Sequence, residues 1–170
     1  MEKMTVAQSL RHARHDFLNE LQVLKMYLDL GRAEEAQAKI RSYAEASVHQ
    51  SRLAGLGMPM TEEWLLTAQW RFPEFRFELE CLSKTASVAN DSGFAGFLEQ
   101  FFQQAKSGLD PFGEYSCFIT IGAASEDFVV ELLLDGEWAA VEMPVVRGIK
   151  ATTTCDSHGT KIAVRAQMEG

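Results

Sequence analysis

The stretch Arg11–Gly31, RHARHDFLNELQVLKMYLDLG, decides how the chain is read. Around it, Val6, Leu10, Ala13, Phe17, Leu21, Leu24 and Leu28 recur at steps of three and four, the period of one helix face. Gly31 stands where a helix is stopped by a left-handed residue. An ideal helix turns about 100° per residue, which places His15 roughly 150° from the mean direction of that apolar face. Arg11, Asn19 and Gln22 share the His15 side, and Leu18 lies beside them. If the stripe is the core, His15 is on the open face, with Asp16 next to it.

Those residue types suit one chemistry. A neutral imidazole is a good nucleophile, and an acid beside it can hold one ring nitrogen as N–H while the other attacks. An amide one turn away, Asn19, can position a water or a phosphoryl oxygen. Arg11 and Arg14 can face developing phosphoryl charge. The bland alternative is a solvated polar face. Against it, His, Asp and Asn are each mediocre helix formers and here cluster in mid-helix. His12 lies nearer the stripe and reads as a flank residue, His49 as structural or solvated, and His158 carries no local signal.

Working outward, a second helix is expected from Ala33 to Leu56, with a weaker stripe of Ala36, Ile40, Tyr43, Ala44, Ser47 and Ala54. Gly55, Gly57 and Pro59 close it. The short connection makes an antiparallel hairpin. Beyond Gly57 the pattern changes. Thr61 is expected to cap a helix running to about Trp70, ended by Pro73. Phe75–Leu82 alternates as a strand, Phe94–Ser107 is a helix dense in Phe and Gln, and Tyr115–Ile121 with Phe128–Leu134 reads as a hairpin turning through Gly122–Asp127. Asp135-Gly136 is a turn, residues 137–158 are expected to be loop with short strand pieces, and Lys161–Gln167 is a last strand. The fold class is therefore α+β: residues 1–57 form a helical hairpin, a four-helix bundle on dimerisation, and residues 58–170 form an α/β sandwich.

Bulk properties remove several functions. With 170 residues and a net charge of −8, the chain lacks the clustered cations that nucleic acid or an anionic membrane surface requires. No apolar run approaches the roughly 18–20 residues of a membrane span, and the polar N-terminus is not a signal peptide, so the cytoplasm is expected. The three cysteines (Cys81, Cys117, Cys155) suggest neither a disulfide framework nor a zinc site, and the histidines lack metal-ligand spacing.

The segment LRHARHDFLNELQVLKMYLDLGRAEEA resembles the phosphoacceptor helix and hairpin turn of the sporulation initiation phosphotransferase B family. It is similar, more distantly, to the dimerisation helices of citrate-type sensor histidine kinases, which share R-H-D-x-x-N-x-L-Q, here Arg14, His15, Asp16, Asn19, Leu21 and Gln22. The resemblance implies a homodimeric phosphorelay phosphotransferase with His15 as phosphoacceptor, oriented by Asp16 and assisted by Arg11, Arg14 and Asn19. Leu18 and Gln22 would dock the response regulators. In that family the donor is a single-domain regulator and the acceptor a sporulation transcription regulator. The chain would bind no cofactor, Mg²⁺ coming from the regulator.

The resemblance also implies that residues 58–170 have the shape of a histidine-kinase ATPase domain. Phe97–Ala105 resembles its asparagine-box helix with glutamine in place of asparagine, Asp135-Gly136-Glu137 resembles a remnant of a glycine loop, and His158-Gly159-Thr160-Lys161 resembles the entry to the last strand. The phosphate cradle, built on glycine N–H groups, is missing from the sequence, so a degenerate domain without ATP-dependent kinase activity is expected. The alternatives are a sensor histidine kinase fragment, and a non-catalytic dimeric module that sequesters a regulator or inhibits a kinase.

Overall fold

The computed structural model describes residues 4–84, 90–124, 127–156 and 159–167, and His158 lies outside them. The chain divides into two compact units, Met1–Val48 and His49–Gly170.

The first unit holds helix α1 (Val6–Asp29) and most of α2 (Ala33–Ala54). Thr5 caps α1 in a reciprocal box: its Oγ1 accepts from the Gln8 backbone, and the Gln8 side chain accepts from the Thr5 backbone. At the other end Gly31 has φ +70°, the Gly31 N–H binds Leu28 O, and the Arg32 N–H binds Tyr27 O. That pair of bonds is a Schellman stop, and it uses Gly31 as the spacing expects. Across the turn, Tyr43 lies within electrostatic reach of Glu20 and Tyr27. Burial first, then the Glu20 charge and Tyr27, push its phenol above the usual range. The pairing of residue 43 with residues 20 and 27 is that of an antiparallel hairpin. The apolar stripe is not covered within one chain: Phe17, Leu21 and Leu28 remain 58%, 45% and 61% exposed, and no residue of α1 is buried.

The second unit is two-layered. Helices α3 (Pro59–Arg71) and α4 (Asp91–Lys106) lie on one face of a five-stranded sheet of order β1-β2-β3-β5-β4. Its strands are β1 (Arg76–Cys81), β2 (Ser116–Ala124), β3 (Asp127–Asp135), β4 (Lys150–Asp156) and β5 (Gly159–Gln167). β1 runs parallel to β2, and the other neighbours are antiparallel. Alternation produces the core. Cys117, Ile119 and Ile121 of β2 face inward with Leu134, Leu132 and Val130 of β3, and Phe97, Phe101 and Phe102 of α4 close over them. Burial pushes the Cys117 and Cys81 thiols upward, as expected of inert core cysteines.

The polar groups inside are paired. Glu99, 9% exposed, accepts from Trp64 Nε1 at 2.9 Å and from Gln103 Nε2 at 3.3 Å, and forms an ion pair with Arg71. The outer edge of β1 is covered by side chains. Gln69 donates to Phe75 O at 2.9 Å and accepts from the Phe77 N–H at 3.1 Å, while Arg52 donates to Cys81 O at 3.0 Å and His49 Nδ1 reaches the Cys81 N–H at 3.2 Å. His49 is therefore structural.

Two local expectations change. Thr61 does not cap α3. Pro59 begins the helix with a preset φ, and Asp91 accepts the Met60 and Thr61 N–H groups, both at 2.8 Å. Thr61 Oγ1 is left to donate to Asp91 O at 3.1 Å. The region 137–158 contains a full edge strand, β4. Its Thr152, Thr153 and Thr154 are all exposed, so the inward–outward contrast that marks a strand in sequence is missing.

Candidate functional site

Mid-α1 is a rigid place to mount a side chain, because a capping box closes one helix end and backbone bonds the other, each more than two turns from His15. His15 and Asp16 side chains are 72% and 50% exposed. Two neighbours contact the same ring nitrogen. His15 Nδ1 lies 3.2 Å from Asn19 Nδ2 and 3.5 Å from Asp16 Oδ1. Both contacts use Nδ1, so Nε2 is the ring nitrogen left for an incoming group. The i, i+4 step brings Asn19 over the ring, as side chains four apart share one face.

Arg11, Arg14, Leu18 and Gln22 are all exposed on the same helix, with Leu18 at 51%. Among the described residues no bond joins any of these four to His15. Sequence spacing brings out the cluster but not its internal geometry: Asn19 is bound to the imidazole itself. A reading limited to what Asn19 offers a ligand overlooks this, although the i, i+4 spacing of His and Asn is visible in the sequence.

In the sheet domain, Gln100 and Gln104 are exposed one turn apart on α4. Gly136 has φ +109°, and a Cβ there would meet Glu114 O at 2.4 Å, so this glycine serves a close backbone crossing. Trp138 follows it, donates from Nε1 to Asp135 O at 2.8 Å, and stacks on Phe75 with centroids 4.9 Å apart. No group of His, Cys, Asp or Glu that would hold a metal occurs among the described residues.

Comparison with known proteins places this helix. Residues 1–56 match the family described as the sensor kinase SpoOB-type, alpha-helical domain. Sporulation initiation phosphotransferase B of Bacillus subtilis (strain 168) is 25% identical over 127 residues, 74% of this chain and 66% of that protein. The chain thus spans just under two thirds of that relative's length. Among solved structures, the histidine kinase AdeS of Acinetobacter baumannii overlays at TM-score 0.39 and 11% identity, covering 92% of this chain and 98% of that one. The catalytic domain of histidine kinase ThkA gives 0.43 and 12%, with 64% and 90% covered. A bacterial phosphotransferase gives 0.39 and 14%, with 96% and 98% covered. The N-terminal segment of this chain thus matches the SpoOB-type α-helical domain, and the likeness to sporulation initiation phosphotransferase B runs on beyond it.

Proposed function

We propose that this chain is a phosphorelay phosphotransferase, with His15 as the residue that carries the phosphoryl group. The observation that carries the proposal is the exposed imidazole fixed through Nδ1 on a rigid helix, with Nε2 left outward. In the first step the Nε2 lone pair forms an N–P bond as the P–O bond to a regulator's aspartate breaks, and that carboxylate departs. The ring keeps its proton on Nδ1, where Asp16 balances the new positive charge. In the second step the aspartate of another regulator attacks phosphorus and His15 returns as the leaving group. Arg11 and Arg14 attract the phosphoryl oxygens, Asn19 donates to them, and Leu18 and Gln22 meet the regulator. The likeness to sporulation initiation phosphotransferase B supports placing this relay in sporulation initiation, between a single-domain regulator and a sporulation transcription regulator, with Mg²⁺ on the regulator and a cytoplasmic homodimer as the working form.

The sheet domain is read as an ATPase-like fold without kinase activity. Gly136 is consumed by a backbone crossing and Trp138 by the aromatic core, so this turn does not serve as a phosphate cradle. The test is incubation with a response regulator carrying a labelled aspartyl phosphate. Acid-labile label on the wild type, lost in His15→Ala and largely kept in His12→Ala, is the expected result. Label from Mg·ATP on His15 would mean a kinase instead.

A further inference from the structure

Two groups compete for one nitrogen of His15. Asn19 Nδ2 lies 3.2 Å from Nδ1. An amide nitrogen only donates, so this bond needs a lone pair on Nδ1. Asp16 Oδ1 lies 3.5 Å from the same atom. A carboxylate only accepts, so that bond needs a proton on Nδ1. A neutral imidazole has one proton for two nitrogens, and the contacts demand opposite answers. The Asn19 contact is the shorter one, and 3.5 Å is at the outer limit of a hydrogen bond. With Asn19 engaged, the proton sits on Nε2, and the outward nitrogen has no lone pair to give.

We propose that Asn19 is a tautomer latch, holding His15 in the unreactive Nε2–H form until an incoming phosphoryl group takes the Asn19 amide for itself. This deepens the phosphorelay reading above and rests on it. Phosphoryl oxygens are charged acceptors and bind an amide N–H more strongly than a neutral ring nitrogen does. Once Asn19 turns to them, the ring loses its Nε2 proton to water and gains one on Nδ1, where Asp16 accepts it. Nε2 then attacks as described, and no proton is left over. The nucleophile is thus exposed at all times but most competent when a phosphoryl group is at hand. Asn19 is a positioning residue in the resting state and a ligand of the phosphoryl group afterwards.

The test reads the tautomer directly. Nitrogen-15 spectra of the chain, recorded in alkaline buffer in which the His15 signals no longer change with pH, give the Nε2–H to Nδ1–H ratio. The His15 signals are assigned by their loss in His15→Ala. The wild type should be mainly Nε2–H. Asn19→Ala should lower the ratio about threefold, within the range an ordinary net hydrogen bond supplies. Asn19→Asp, which exchanges a donor for an acceptor, should invert it to mainly Nδ1–H. A wild-type ring already mainly Nδ1–H, or one ratio shared by all three proteins, overturns the latch. The labelled-regulator assay judges the relay separately: transfer with an unmoved tautomer sinks the latch and keeps the relay, whereas a moving tautomer without transfer keeps the latch geometry and sinks the relay.

Discussion

His15 contributes little to the fold that presents it. Its side chain is 72% exposed, and alanine is a better helix former. His15→Ala should therefore abolish label transfer while leaving the unfolding free energy within about 0.5 kcal/mol of wild type, the usual span of surface substitutions, and the melting temperature nearly unchanged. A loss of both transfer and melting temperature would identify a folding defect instead. The sequence carries the placement of His15 well, because helical period alone sets its angle to the stripe. Exposure does not single it out, since all of α1 is unburied in one chain. The distinguishing mark is the Asp16–Asn19 pair on one ring nitrogen, and that depends on side-chain rotamers that spacing does not encode.

Elements were legible where the pattern was periodic and bounded. α1 and α4 have strong stripes, and β2 with β3 alternate around a turn. The joint between α3 and α4 was not legible, because the residue that closes α3, Asp91, lies 30 positions from Thr61. Asp91→Ala removes the acceptor of two N–H groups and should cost about 1–2 kcal/mol, read by urea denaturation. Unchanged stability would mean that water replaces the carboxylate without loss. α4 is also tied at its far end, where Lys106 meets Glu74 at 2.5 Å. Partial burial of Glu74 raises its pKa, but the Lys106 hydrogen bond and charge outweigh it and hold the carboxyl below the usual range. A depressed folded pKa contributes stability that is complete above the unfolded value of 4.5 and is lost as pH falls through the folded one. Both groups are about a third or more exposed, so the effect stays below about 1 kcal/mol. Glu74→Gln should flatten the acid limb of the stability profile and leave it unchanged at pH well below 4.

At the scale of the molecule, the stripe on α1 is the largest unfinished feature. Among the described residues no helix is long and apolar enough to cross a membrane. A second hairpin completing a four-helix bundle would cover the stripe. The protein should be a dimer at micromolar concentration by light scattering, and Leu21→Asp should make it monomeric by placing an unpaired charge in that seam. A wild-type monomer would leave the stripe unexplained. The melting temperature should accordingly rise with protein concentration.

The Gln69 amide against β1 carries a separate consequence, one of ageing. A side chain stands in for a missing strand, giving one donor and one acceptor to Phe75 O and the Phe77 N–H. Hydrolysis of that amide to a carboxylate would preserve the acceptor and turn the donor into a second oxygen facing a carbonyl. Stored protein would then lose one clasp of its edge one molecule at a time, with Arg52 and His49 still holding the other end, and an opened edge is a template for strands of other chains. Association of such a preparation would then begin at a single amide, before any residue of the core is disturbed.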